Sequence, residues 1–302
     1  MEYSRFDFHA MGSACALQLY AAEHTMAMRA AQAVVDEVNR IEMRYSRYRA
    51  DSVLSVINQA AHSAGGITVD AETAGLLDYA FACHARSAGL FDISSGVLRR
   101  AWSFAANQLP DPEQVRVLLL RVGMDKMVWD SPVVRFLVPC MELDLGGLGK
   151  EYAADRAVTL CIGLGIRHGL VDLGGDLAII GPHPDGTPWR IGIQHPGQAD
   201  GVLAMLSLSE GGLASSGDYE RGMTIAGQRF SHILDPRTGW PVQGLASVSV
   251  VADRCLVAGS LSTIGMLKGA AGIPWLRDLG VPHLWMDAHG QCGGSLAMGT
   301  AA

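Results

Sequence analysis

Charge is scarce in this chain. Only 18% of its residues are Asp, Glu, Lys or Arg, against 49% hydrophobic ones. That balance excludes a disordered polypeptide, which needs high charge and few apolar residues to stay unfolded. No basic run is present and the formal net charge is −7, so no nucleic-acid surface is expected. A small phosphorylated ligand stays open, because backbone amides and a few placed cations hold one without a basic surface. Of the cysteines, Cys15, Cys83, Cys140, Cys161, Cys255 and Cys292, no two stand at C-x-x-C spacing, which excludes the usual zinc and redox pairs. Their scatter fits reduced thiols in a core.

Long apolar runs are missing too. Nothing approaches the stretch of about 18 residues that a membrane-spanning helix needs, so no membrane span is expected. The opening MEYSRFDFHAMGSAC lacks the basic start and apolar stretch of a signal peptide. A cytoplasmic protein is therefore expected from the chain as given, unless an export or lipoprotein signal has been removed; Gly12-Ser13-Ala14-Cys15 is faintly like a lipoprotein cleavage site, but no apolar segment precedes it. Two nucleotide signatures fail as well. A Walker A loop needs glycine where Asp144 stands and Ser or Thr where Glu151 stands, and Gly163-Leu164-Gly165 lacks the third glycine of a Rossmann turn.

What is present is a filled mixture of strands and helices. Residues 6–21 predict a strand kinked at Met11-Gly12-Ser13. Ala30, Ala33, Val34, Val38 and Ile41 recur at helical spacing over Thr25 to Arg44. Asp51-Ser52 caps a short helix, a further helix covers Ala71 to Ala88, and Asp111-Pro112 opens one that ends at Gly123. Paired strands broken at Ser131-Pro132 fill 126–144. A helix follows from Glu151 to Leu164, then a strand from Val171 to Ile180 interrupted by Gly174-Gly175. Strands at 189–194, 202–208 and 246–252 and helices at 256–268 and 273–279 complete the reading. Strands and helices without regular alternation predict an α+β fold with mixed or antiparallel sheets flanked by helices. With no repeat or linker, residues 1–302 are expected to form a single domain, with room for two closely packed subdomains.

Several segments carry candidate chemistry. In FSHILDPRTGWPV, His232 stands three residues before Asp235, ahead of a stiff turn in which Pro236 favours an extended Asp235 and Gly239 can take a φ that other residues resist. An extended run would turn Ser231, Ile233 and Asp235 to one face and His232 to the other. Gly146 to Lys150 combines glycines that admit a close ligand, a helix N-terminus and a cation, the parts of a phosphate site; a flexible connection with a solvated lysine is the plainer alternative. Gly174-Gly175-Asp176 fits either a close backbone approach or a β-bulge. Ser215-Ser216-Gly217-Asp218-Tyr219 reads as a polar turn. Phe91-Asp92 sets a carboxylate beside an aromatic, and Met11, Tyr45 and Tyr48 offer surfaces for a flat ring or for the core.

Taken in order, AMGSACALQLYA, SRYRADSVLSVIN, GLFDISSGVL, ELDLGGLGKEYAADRA, GLVDLGGDLAIIG, WRIGIQHP, LASSGDYER, FSHILDPRTGWPV and AGSLSTIGMLKG resemble the FAD:protein FMN transferases, the ApbE-type flavin transferases, over residues 6–269. The resemblance implies an ApbE-like, T-fold-like architecture with FAD between two halves. It implies a reaction that splits FAD, releases AMP and joins FMN through a phosphoester to a Thr or Ser of an acceptor flavoprotein. FAD contacts would come from Met11, Tyr48, Leu90, Phe91, Asp92, Lys150, Ala153, Gly175 and Ile233. His232 would assist removal of the acceptor's hydroxyl proton, with Asp235 orienting the site. For magnesium, the family takes a carboxylate from an Ala-Asp pair, a Thr hydroxyl four residues on and a carbonyl by the glycine turn. Here Thr263 and Gly147 match, but the pair is Ala258-Gly259, and the family's Lys-Gly is Lys150-Glu151. Magnesium prefers anionic oxygen, so a weakened or altered Mg2+ site is expected. Transfer leads, with FAD hydrolysis to FMN and AMP, or FAD binding without catalysis, as alternatives.

Overall fold

The computed structural model describes residues 1–62, 66–104, 107–198, 201–218, 222–225 and 227–296. Its first half contains β1 (Glu2–Ala10), β2 (Ser13–Ala21), α1 (His24–Tyr45), α2 (Val53–Ala60), β3 (Gly66–Thr68), α3 (Ala71–Arg86), α4 (Pro112–Leu119), β4 (Met127–Asp130) and β5 (Val133–Phe136). The second half adds α5 (Gly149–Gly163), β6 (His168–Leu173), β7 (Asp176–Gly181), β8 (Trp189–Gln194), β9 (Val202–Leu208), β10 (Gly212–Gly217), β11 (Gly222–Ile225), β12 (Gln228–Ser231), β13 (Leu245–Ala252), α6 (Cys255–Leu267), α7 (Gly272–Asp278), β14 (His283–Asp287) and β15 (Cys292–Gly293).

Several sequence expectations need correction, among them the helix opened at Asp111-Pro112, which ends at Leu119 rather than Gly123. The strand over 6–21 is a hairpin, not a kinked strand: the chain reverses at Met11-Gly12, with φ of 51° and 71° and Ala10 opposite Ser13. Consecutive positive φ values make the tight turn whose twist suits antiparallel strands. The stretch from Val171 to Ile180 reverses in the same way at Gly174-Gly175, with φ of 69° and 92°, so a turn replaces the bulge. Ser215, Ser216 and Gly217 lie in β10 rather than in a turn, and Tyr219 lies outside the described residues. Small polar residues read as a turn, but here neighbours satisfy them: Ser215 Oγ meets Ser249 Oγ at 2.7 Å and Ser216 Oγ meets Ser262 Oγ at 2.8 Å. Within 126–144 only β4 and β5 are strands.

Eight strands form one sheet in the order β1-β2-β6-β7-β10-β13-β14-β15, every neighbouring pair antiparallel. Alternating side chains divide between its faces. Val171, Ala178 and Ala214 join the large core under the helices, while Leu170, Leu177, Ile179 and Leu213 join Trp189, Ile191, Ile193 and Leu206 of the β8–β9 hairpin on the other side. The fold is α+β with antiparallel sheets and flanking helices.

A cap supplied by one helix to the other sets the register of α5 against α6. The residue before α6, Arg254, provides no side-chain cap. Asp155 of α5 does so instead, accepting the N–H groups of Cys255 and Leu256, each at 3.0 Å. One turn earlier on α5 stands Glu151, and one turn later on α6 stands Gly259. The two meet: a Cβ placed on Gly259 would lie 2.5 Å from Glu151 Cγ.

Candidate functional site

The turns of the β1–β2 hairpin, the start of β7, the last residues of β10 and the N-terminus of α5 converge on a cavity of about 530 Å³, a size typical of small-molecule and cofactor sites. The two hairpin turns touch, since a Cβ on Gly174 would lie 2.6 Å from Ser13 Cβ. Met11 holds its left-handed backbone because its N–H donates to Glu42 Oε2 at 2.8 Å. Such a conformation in a non-glycine residue is sparsely populated and persists only where neighbours impose it.

Most of the candidates from the sequence line this cavity. Met11, Tyr48, Leu90, Phe91 and Asp92 form one part of the wall. Gly147, Lys150, His232, Ile233 and Thr263 form another part. Tyr48 is 82% exposed at the rim, with the Arg47 guanidinium 5.5 Å from its ring centre. Phe91 is buried and packs at Gly147, so the glycine turn and an aromatic ring meet. Asp92 has a structural duty: its Oδ1 accepts the N–H and hydroxyl of Ser94 at 2.8 and 2.6 Å, and its Oδ2 accepts the Met124 N–H at 3.0 Å.

Three candidates stand apart from the lining. Ala153 is fully buried in α5. Gly175 is at the hairpin tip, donating its N–H to Asp172 Oδ1 at 2.8 Å. Asp235 closes its own turn: its carboxylate accepts from the Arg237 N–H at 2.9 Å and from the guanidinium at 2.8 and 3.1 Å. Its main-chain oxygen accepts from Thr238 and Gly239. The expected alternation over 231–235 is not kept either. His232 sits at a bend, and His232, Ile233 and Leu234 all line the cavity, because the bridge from Leu234 to Pro241 starts only beyond that bend.

The turn after Asp235 is anchored from below. Gly239 has φ 72° and its oxygen accepts the Trp102 Nε1–H at 2.8 Å, while Trp102 packs edge-on against Trp240. A Cβ there would stand 2.5 Å from Val115 Cγ1. Gly239→Ala is therefore expected to lose about 2 kcal/mol or more of stability, from strained φ and overpacking together. Urea unfolding measures it; a change below about 0.5 kcal/mol would show that the turn is not so held.

The electrostatics favour an anion with a cation beside it. Lys150, in the first turn of an α5 that begins without a side-chain cap, is 2.9 Å from Asp176. Arg47 and Arg99 reach the cavity wall and both approach Asp144, at 3.0 and 3.5 Å. Beside Lys150, Glu151 is buried, and its Oε2 has no hydrogen-bond partner among the described residues. Burial first, and then the nearby Asp176, push its pKa up to about 8. An orphaned buried oxygen in a wall of carboxylates and hydroxyls suits a hard divalent cation. Arg47, Arg99 and Glu42 are not singled out by the sequence, because nothing in their separate segments distinguishes them from ordinary solvated charges. Glu151 stands out there only as a departure from pattern.

A family model described as the ApbE family matches residues 11–285 of the chain. The chain is 31% identical to the FAD:protein FMN transferase of Haemophilus influenzae, over 77% of its own length and 69% of that protein. It is 35% identical to the one from Rhodobacter capsulatus, over 74% of its own length and 44% of that longer protein. Among solved structures, the ApbE protein of Thermotoga maritima matches with a TM-score of 0.88 at 29% identity, covering 97% of both chains. The flavin transferase ApbE from Vibrio cholerae matches with 0.84 at 25% identity, covering 98% of both.

Proposed function

The chain belongs to the ApbE family, and from that premise we propose that it takes FAD as substrate and transfers FMN to a Thr or Ser hydroxyl of an acceptor flavoprotein. The observation that carries this is a single cavity that joins an aromatic wall at Phe91 and Tyr48, the Lys150 cation at a helix N-terminus, and the His232 imidazole. The flavin ring packs on the apolar side, and the diphosphate turns to Lys150 and the positive end of the α5 dipole. His232 receives the acceptor hydroxyl's proton as its oxygen bonds to the phosphorus on the FMN side. The bridging P–O bond breaks, and AMP leaves with the bridging oxygen. A Mg2+ ion near Thr263 and the Gly147 carbonyl would neutralise charge on the diphosphate oxygens. Asp235 keeps the turn beyond His232 closed rather than touching the reactants. Among the described residues no helix is long and apolar enough to cross a bilayer.

Incubation of the purified chain with FAD, Mg2+ and an acceptor flavoprotein tests the proposal. Equal amounts of AMP and protein-bound FMN are expected. AMP with no bound flavin would replace transfer by hydrolysis, and intact FAD throughout would leave a binding protein.

A further inference from the structure

We propose that the Glu151 carboxylate, carried by α5 into the space over Gly259, is this protein's anionic ligand for a divalent cation on the FAD diphosphate, with the Thr263 hydroxyl beside it. The inference rests on the FAD reading above and assigns the cation its protein ligand.

Three observations lead to it. First, Glu151 fills the place of a missing side chain. A Cβ on Gly259 would be 2.5, 2.6 and 2.8 Å from Glu151 Cγ, Oε1 and Cδ, so the carboxylate group sits where residue 259 would project its own. The Asp155 cap on Cys255 and Leu256 fixes that pairing of helices. Second, Thr263 follows Gly259 by one helical turn and shares its face. Its hydroxyl is 3.0 Å from Ser216 Oγ, and both residues line the cavity with Glu151. Third, Glu151 is only 7% exposed and its Oε2 is unpartnered, whereas buried carboxylate oxygens are almost always bonded to something.

The donor set also indicates when the ion binds. Every donor is a hard oxygen, which suits Mg2+ or Mn2+ rather than a softer metal. Among the described residues no three His, Cys, Asp or Glu side chains form a group able to hold a metal. The protein therefore contributes a minority of the ligands, and phosphate oxygens and water complete the shell, as is usual for Mg2+. Cation and FAD should strengthen each other's binding by the same factor.

Mn2+ serves as the probe, its free concentration followed by electron paramagnetic resonance in FAD-free and FAD-loaded protein. Loaded native protein should bind one Mn2+ at least about tenfold more tightly than the FAD-free form, and Glu151→Gln should lose most of that gain. FAD affinity without metal, read by flavin fluorescence, should change little. If Glu151→Gln does not fold, the exchange Glu151→Gly with Gly259→Asp gives the second arm and should bind Mn2+ as the native chain does. Unchanged Mn2+ affinity in FAD-loaded Glu151→Gln, or no binding by the exchanged chain, overturns this inference alone. Failure of the native chain to take up FAD overturns the function and this inference together.

Discussion

Replacing His232 with alanine is expected to lower the rate of AMP release by about 10²–10⁴-fold while leaving FAD affinity within a few-fold. In the proposed binding mode the apolar contacts and the diphosphate cation come from Phe91 and Lys150, elsewhere on the cavity wall, so ground-state binding should not need the imidazole. What disappears, on the proposed mechanism, is the group that accepts the hydroxyl's proton as the new P–O bond forms. Lys150→Met should divide its effect differently. On the proposed binding mode it removes a cation that faces the diphosphate in ground and transition state alike, so FAD affinity and turnover should fall together. It also leaves Asp176, now 2.9 Å from Lys150 Nζ, without that partner. Single-turnover measurement of AMP at saturating FAD separates the two variants. If His232→Ala kept turnover within a factor of about three, proton transfer by that imidazole would have to be abandoned.

The parts of this molecule that were legible in the sequence are those set by local chemistry. Helix α1 follows from its apolar spacing, and α4 from Asp111, whose side chain accepts the Glu113 N–H at 3.0 Å. Gly239 takes the positive φ that its place in the turn suggested. Contacts between distant segments were not legible. A Met-Gly pair does not announce a full reversal; it takes the Glu42 carboxylate, 31 residues away, to hold Met11 in the turn. Ser215 and Ser216 look like loop residues until β13 and α6 bring them hydroxyl partners. The resemblance implies a site role for Asp235, but it carries no sign of Arg237, two residues on, which pairs with that carboxylate in the fold. The candidates on the cavity wall came from motif resemblance, and spacing alone would not have gathered segments as far apart as Met11 and Thr263.

Gly259→Asp alone is expected to destabilise the protein by about 2–4 kcal/mol rather than to improve its metal site. Glycine inside a helix costs roughly 0.5–1 kcal/mol relative to alanine, and Gly259 is buried in the middle of α6. The glycine is tolerated because Glu151 needs the room. A new side chain there must displace a Glu151 whose Cγ is 2.5 Å from the incoming Cβ. It would also set a second carboxylate against one that is already buried. The Asp155 cap one turn along α5 holds the helices in register, so Glu151 can give way only by turning its own side chain, which must then find another place for a buried carboxylate. With Glu151→Gly made at the same time, the space and the charge are exchanged rather than doubled. The pair should then stand within about 1 kcal/mol of the native chain, a coupling of about 1–3 kcal/mol between sites 108 residues apart in sequence. Urea midpoints for the native chain, both single variants and the double variant close the cycle. Additive effects would mean that the two positions do not share one volume, and the reading of Glu151 as occupant of the Gly259 space would fail with them.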